Sequence, residues 1–507
     1  MIMQDFSDLI PKHKFTSNQG IVPMKSPVYL LLSIFLSFVS YRTSFSQNQF
    51  IKPRYIEISK LNPAYFSFSD GSRYIPVGIN LINPSSRTHD NPDSAFDEID
   101  EWMKNLSQNG GNYIRIWLSQ SFWDIEDKAA GKYSDEKMNR IDRFIEMARK
   151  YKLRIKITLE HFRSVTLEEN PQRWATKFVY HTSNGGPLDS TRQYLTSSEG
   201  QQLFLNKIDF YKKHYGSDTL FFGWELWNEM NAMKGPEDSI FFDWNKKMLR
   251  EVKNRFPANL VMQSLGSFDN ENVRPLYKKM MLLNGNEVAQ VHRYLDLGAK
   301  MEVCRAPMDI ICSSAVEELL SYQTGKPVVL AETGAVEPQH AGPSKYYPLD
   351  TAGILLHDIL FAPFFSGSAG PGMSWHWESY VHKNNLWYHF QRFNEAIKGI
   401  NPIEEKFMVA KAETSAARIY LLKGKKTTLL WLRDKMNNWE SELQKGIAPK
   451  VLHGIQLNLQ ELGLMESQGK TEVYDPWKNT WRRIEKVDAS IILPDFKRSI
   501  VIRLRSK

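Results

Sequence analysis

From about residue 60 to about residue 400, short apolar runs alternate with amphipathic stretches of helical period, a pattern that predicts a parallel sheet joined by crossover helices. Residues 74–80 predict the first strand, 95–108 the first helix and Gly110-Gly111 its stop. Strand 113–117 and helix 135–150 follow, then strand 153–159 and a loop rich in Asn, Gly, Pro and Thr over 168–196. Helix 201–214 leads into strand 220–224, and helix 239–255, closed by Pro257, into strand 260–263. No helix is predicted in the crossover from there to strand 288–292. Helix 308–322 precedes strand 327–330, and helix 351–361, strand 372–375 and helix 386–397 complete the series. Eight such strands predict an α/β chain with a closed (β/α)8 TIM barrel rather than an open doubly wound sheet.

After Asn401-Pro402 the pattern changes. Runs 417–422 and 427–433 flank the hairpin signal Lys423-Gly424-Lys425-Lys426, and 456–459, 471–474, 481–484, 490–493 and 499–504 are further short strands. This predicts a small C-terminal antiparallel β-sandwich over 401–507, behind a barrel over 47–400. Trp439, Trp477 or Trp481 could bind carbohydrate there; a scaffold packed on the barrel is the favoured role.

The chain has 507 residues, 42% hydrophobic and 12% aromatic, enough for a large core and more than one domain. Its formal charge of +8 comes from 65 basic and 57 acidic residues without a dense Lys/Arg block, so the surface is weakly basic and no nucleic-acid partner is expected. Met24-Lys25-Ser26-Pro27, the apolar stretch 28–39 and Ser44-Phe45-Ser46 have the parts of a secretory signal, and the stretch is short of the about 20 apolar residues that span a bilayer. Cleavage near Ser46 predicts a secreted or periplasmic chain with no transmembrane span, so that 1–46 is an N-terminal extension and signal; an uncleaved anchor is the alternative. Cys304 and Cys312 could form a disulfide, but two buried thiols are slightly preferred.

Two glutamates carry the chemistry. Glu229 ends the run Gly223-Trp-Glu-Leu-Trp-Asn-Glu229, and Glu332 ends Pro327-Val-Val-Leu-Ala-Glu332. Carboxylates just past the C-terminal ends of parallel strands sit where barrel enzymes keep their active sites, and a pair of them suggests glycosidic bond cleavage. Trp224-Glu-Leu-Trp-Asn-Glu229, Val291-His-Arg-Tyr294, Lys326-Pro-Val-Val-Leu-Ala-Glu-Thr-Gly334 and Ser374-Trp-His-Trp377 resemble, in order and strand placement, the retaining glycoside hydrolases of clan A. Family 5, with its cellulases and β-mannanases, is the nearest, and the resemblance spans roughly residues 60–400. Trp-Glu-Leu-x-Asn-Glu is like the mannanase branch, but Met230 stands where that branch usually has Pro, which leaves the sugar open.

The resemblance implies that Glu229 is the acid/base and Glu332 the nucleophile, with Arg115 keeping Glu332 ionised, Tyr294 donating to it and Asn228 bonding the sugar 2-hydroxyl. An acetal breaks when its leaving oxygen is protonated while negative charge supports the oxocarbenium-like carbon, so one carboxyl must hold a proton and the other must not. His292 and His161 follow apolar strands and either touch substrate and catalytic groups or are satisfied by backbone. One of Trp375 and Trp377 is expected to form the floor for a sugar and the other to be core; Trp117 and Trp123 are read as core before subsite. Glu225 is expected to point away from the site and pair within the wall. Carbohydrate is the expected substrate, with no cofactor and no metal. The rival of a metal-dependent hydrolase using Glu160, His161 and His292 lacks the usual His pair on the first strand, which ends Gly78-Ile79-Asn80. An inactive sugar-binding barrel is the other rival, and the presence of both glutamates and Arg115 stands against it.

Overall fold

Pro76 has no N–H to offer a ladder, and it divides the first predicted strand in two. In the computed structural model of this protein, which describes residues 54–162, 178–233, 236–464, 469–485 and 489–505, the part before Pro76 is antiparallel and the part after it parallel. Strands β1 (Ile56–Ile58), β2 (Phe66–Phe68) and β3 (Arg73–Tyr74) form a small antiparallel sheet that the sequence pattern did not predict, turned at Asp70-Gly71-Ser72. β4 (Gly78–Asn80) opens the parallel series. Gly78 is required there: a Cβ would lie 1.7 Å from the Tyr113 carbonyl oxygen of the neighbouring strand.

The series continues as α1 (Pro92–Gln108), β5 (Tyr113–Trp117), α2 (Asp135–Lys150), β6 (Arg154–Glu160), α3 (Thr191–Thr196), α4 (Ser198–Tyr215), β7 (Phe221–Trp227), α5 (Asp238–Arg255) and β8 (Leu260–Met262). Then come α6 (Arg274–Leu282), β9 (Ala289–Asp296), α7 (Met308–Ser321), β10 (Val328–Val336), α8 (Ile354–Phe365) and α9 (Tyr388–Ala396). Helix α6, with Pro275 in its first turn, lies in the crossover before β9, where no helix was predicted. α3, capped by the Ser190 side chain, occupies the end of what was predicted as loop.

Strands β4-β5-β6-β7-β8 form one parallel ladder and β9-β10 another. The predicted eighth strand, 372–375, is reduced to Ser374, which bridges in parallel to both Ile79 and Thr333 and so links β4 to β10. Pro371 takes a donor away just before it. Between β8 and β9 the Glu287 amide donates to the Val261 carbonyl at 3.0 Å in place of a ladder. Strand residues alternate in facing: Ile114, Ile116, Ile155, Ile157 and Leu159 join the large apolar core with the helices, while Arg115, Lys156 and Thr158 lie on the other, inner face.

The C-terminal strands are β11 (Met408–Glu413), β12 (Ala417–Lys423), β13 (Thr427–Asp434), β14 (Gln456–Asn458), β15 (Thr471–Asp475), β16 (Thr480–Ile484), β17 (Ser490–Ile492) and β18 (Ser499–Arg505). Six of them form an antiparallel sheet in the order β11-β12-β13-β18-β15-β16, and β14 pairs with β17. β11, an exposed edge strand, has too little apolar alternation to be read from sequence. One face of the six-stranded sheet (Ile419, Leu421, Leu430, Ile502) clusters with Leu457 and Ile491 of the pair; the other (Tyr420, Leu422, Trp431, Val501) joins the large core. The scaffold role of this sheet is visible in its tryptophans. Trp439 Nε1 donates to the Ala306 carbonyl at 2.9 Å, Trp481 Nε1 to Glu395 Oε1 at 3.1 Å, and Trp477 Nε1 to Ser499 Oγ at 2.9 Å, its ring beside His357 of α8. The indole N–H groups of all three are thus engaged with atoms of the protein itself. Arg418 pairs with Asp309 at 2.6 Å and Arg433 with Asp358 at 2.8 Å across the same contact. Residues 53–507 make one compact unit. No helix among the described residues is long and apolar enough to cross a membrane, and the predicted signal segment lies outside them.

Three buried histidines, two of them beside Trp477 at this contact, make stability depend on pH. Burial pushes His389 down to about 4 and His376 to about 3, and holds His357 well below its ordinary value with His389 and Arg433 adding to the effect. Each stays neutral in the fold while the unfolded chain takes up a proton below about pH 6.5, so its contribution is complete above that pH and is lost as pH falls toward 4. Wild type is expected to lose about 2–3 kcal/mol more than His389→Gln between pH 7 and 4.5, read by chemical unfolding at the two pH values. Glu160 and Asp358, both pushed up to about 7 by burial, change stability in the opposite sense, but equally in both proteins, so the difference isolates His389.

Candidate active site

Glu229 leaves β7 in the left-handed region, at φ 51° and ψ 53°, a conformation that costs a residue with a Cβ about 1–2 kcal/mol. The Ser264 hydroxyl accepts its amide at 3.2 Å, and its carbonyl accepts the Ala232 amide at 2.9 Å, so the turn is held from both sides. Glu332 is set by a different device. The β9–β10 register slips between Leu330, opposite Val291, and Glu332, opposite His292; Ala331 is the extra residue of a bulge that re-aims the side chain after it. One carboxylate oxygen from each glutamate and one imidazole nitrogen of His292 all lie within 4.8 Å of one another. Glu229 is the more open of the two, its side chain 14% exposed against 3% for Glu332.

Arg115, fully buried on β5, organises the floor. Its guanidinium donates to Glu332 Oε1, to Glu225 Oε2 from both Nε (2.9 Å) and one terminal nitrogen (2.6 Å), to Asn228 Oδ1 at 2.9 Å and to Asn80 Oδ1 at 3.2 Å. Tyr294 donates to Glu332 Oε2 at 2.9 Å. Glu225 pairs within the wall, as expected from sequence, but it does not point away from the site, since it shares Arg115 with Glu332; burial alone would raise it, but Arg115, Lys156 and His292 outweigh burial and hold its carboxyl well below the usual range.

His292 Nδ1 lies 2.9 Å from Glu229 Oε1 and 3.4 Å from Glu332 Oε2, so this histidine stands between the two glutamates. His161 Nδ1 is hydrogen-bonded to Ser119 Oγ at 2.6 Å, and its ring lies 5.1 Å from that of Trp117. Trp375 is partly exposed, its ring 5.0 Å from that of Trp117, whereas Trp377 is buried against Trp102. Trp117 and Trp123 are buried, the latter donating to the Ile82 carbonyl. The three residues of the metal rival do not assemble: Glu160 is bonded at 2.8 Å to Lys207 and His161 to Ser119, away from His292 with its glutamates. Cys304 and Cys312 are buried free thiols.

Sequence reasoning missed Asn80, whose amide nitrogen holds the Ala331, Met373 and Ser374 carbonyls while its oxygen accepts from Arg115. It also missed Lys156, Thr158 and Gln290. The signal was present in the period-2 alternation of Arg154-Ile-Lys-Ile-Thr-Leu-Glu160, which puts polar groups on the inner face of a strand surrounded by apolar ones.

The profile of the cellulase family, glycosyl hydrolase family 5, matches residues 79–351, from β4 to the threshold of α8, with Arg115, Glu229, His292 and Glu332 inside the span. Mannan endo-1,4-beta-mannosidase 1 of Arabidopsis thaliana is 23% identical over 181 residues, 34% of this chain and 41% of that protein, so the match spans less than half the relative's length. A glycoside hydrolase family 5 structure from Bacteroides vulgatus shares the fold, with TM-score 0.53 at 11% identity over 89% of this chain and 94% of that one. The endo-beta-1,4-mannanase of Thermotoga petrophila gives TM-score 0.48 at 14% identity over 85% and 98% of the two chains.

Proposed function

The chain belongs to glycosyl hydrolase family 5, and on that premise we propose that it is a retaining β-glycosidase acting on a β-linked plant-type polysaccharide or oligosaccharide, β-mannan before β-glucan. The supporting observation is the spacing of Glu229 and Glu332, within 4.8 Å between oxygens. Retaining enzymes hold their carboxyl groups about 5–5.5 Å apart, whereas inverting enzymes leave about 6.5–9.5 Å for a water. Glu332 attacks the anomeric carbon as Glu229 gives its proton to the glycosidic oxygen; the C–O bond breaks and a glycosyl ester forms on Glu332. Glu229 then takes a proton from water, whose oxygen attacks the same carbon and frees Glu332. Arg115 and Tyr294 keep the nucleophile ionised, Asn228 bonds the 2-hydroxyl and Trp375 supports a sugar ring.

Family membership implies the (β/α)8 barrel. On this reading the ring closes through Ser374, the barrel spans 47–400 and the C-terminal sheets stack as a sandwich over 401–507. Segment 1–46 carries an export signal, which makes the enzyme secreted or periplasmic. The substrate preference of the Arabidopsis relative supports mannan. A reducing-end assay on β-mannans, β-glucans, xylans and galactans is expected to give the highest turnover on β-mannan, with the first-formed product retaining its configuration by NMR. Release from no β-glycan, or an inverted product, would contradict the proposal.

A further inference from the structure

Beneath the two glutamates, the inner face of the sheet holds an ion pair that the reaction above does not use. Lys156 of β6 is 1% exposed. Its ammonium donates to Gln290 Oε1 at 2.6 Å and lies 3.2 Å from Glu225 Oε1, which also accepts from Gln290 Nε2 at 2.9 Å. The other oxygen of Glu225 is taken by Arg115 and, at 2.5 Å, by Thr158 Oγ1. Charges therefore alternate in an unbroken line from Lys156 through Glu225 and Arg115 to Glu332.

We propose that Lys156 is a positioning residue for the reaction: by neutralising Glu225 it leaves the Arg115 charge to Glu332, so that Glu332 is ionised and Glu229 protonated over the same pH interval. This rests on the glycosidase reading above. Without the ammonium, one guanidinium would face two buried carboxylates, and the excess negative charge would make both Glu332 and Glu229 hold their protons to higher pH. At an effective dielectric of about 20, a unit charge on the order of 10 Å from a carboxyl displaces its titration by about one pH unit. Burial pushes Lys156 down to about 8 against the pull of Glu225, so it carries its charge throughout the acidic and neutral range. The other titratable groups facing this set are Tyr113 and Arg115 on β5, Glu225 and Glu229 on and after β7, and His292 and Tyr294 on β9. Glu332 on β10 faces it too, with Tyr277 of α6 and His340 at the rim. β4 and β8 bring none.

The test is the pH profile of kcat/KM for Lys156→Met, Glu225→Gln and the double variant beside wild type. Lys156→Met is expected to move both limbs of the bell up by about one pH unit, and Glu225→Gln to move both down by a similar amount. The double variant, in which one cation again faces one carboxylate, returns them to the wild-type position. Loss of kcat with unmoved limbs in the single variants would reduce Lys156 to a space-filling role and overturn the proposal. Should Lys156→Met not fold, the direction of the Glu225→Gln shift decides. A wild-type protein without turnover on any β-glycan would remove both the glycosidase reading and this inference, an outcome distinct from active variants with unmoved limbs.

Discussion

Glu332→Gln is expected to lower kcat on the best polysaccharide by on the order of 10⁴-fold or more, with binding of that polysaccharide retained. The carboxamide has the size of the carboxylate, so the sugar-facing shape is nearly unchanged, but Arg115 and Tyr294 donate to different oxygens of Glu332 and the single amide oxygen keeps only one of these two hydrogen bonds. What it lacks is the charge that supports the oxocarbenium-like carbon and the ability to form and release a glycosyl ester. The variant also leaves Arg115 and Lys156 facing Glu225 alone, and an uncompensated buried charge lowers stability, so the unfolding midpoint should fall as well. Activity, affinity by calorimetry and circular dichroism measured together separate the two effects. Turnover within tenfold of wild type would remove Glu332 from the reaction. Binding of β-glycan with no turnover in wild type would instead favour the inactive sugar-binding alternative.

The parallel strand–helix order and the place of Glu229 just past β7 were legible in the sequence because they depend on local pattern (apolar runs of strand length, helical periodicity), whereas Glu332, expected just past its strand, lies inside β10, which runs on to Val336. What was not legible depends on contacts made across the fold. Ser374 replaces a full eighth strand because its two neighbours reach it from β4 and β10, which no local period records. The bulge at Ala331, which aims Glu332, is a register slip against His292 and so requires both strands to be seen. Asn80 looked like a strand end without a ligand, yet it connects Arg115 to three carbonyls more than 250 residues away in sequence. Trp439, Trp477 and Trp481 show the converse: composition cannot tell a sugar platform from a docking residue, and their ring nitrogens are engaged with atoms of the protein itself.

Glu229→Ala is expected to affect substrates according to their leaving groups. On polysaccharide, whose leaving alcohol must be protonated, kcat/KM should fall by about 10²–10⁴-fold. An aryl glycoside with an acidic phenol needs no proton, so its first step should run nearly as in wild type while the second, deprived of the base that activates water, becomes slow. The glycosyl ester on Glu332 then accumulates, giving a burst of phenol and a low KM. Azide, a nucleophile that requires no general base, should restore turnover and yield a glycosyl azide of retained configuration. In Glu332→Ala the same anion would enter where the carboxylate was and give the inverted azide, so the two glutamates are told apart by the stereochemistry of one product. The alkaline limb of the profile should vanish with the carboxyl of Glu229, and Ser264 and Ala232, which hold the turn through its backbone, should preserve the fold. Equal losses on both substrate types, with no response to azide, would assign the proton transfer to another group, and His292, 2.9 Å from Glu229, is the side chain to which it would pass.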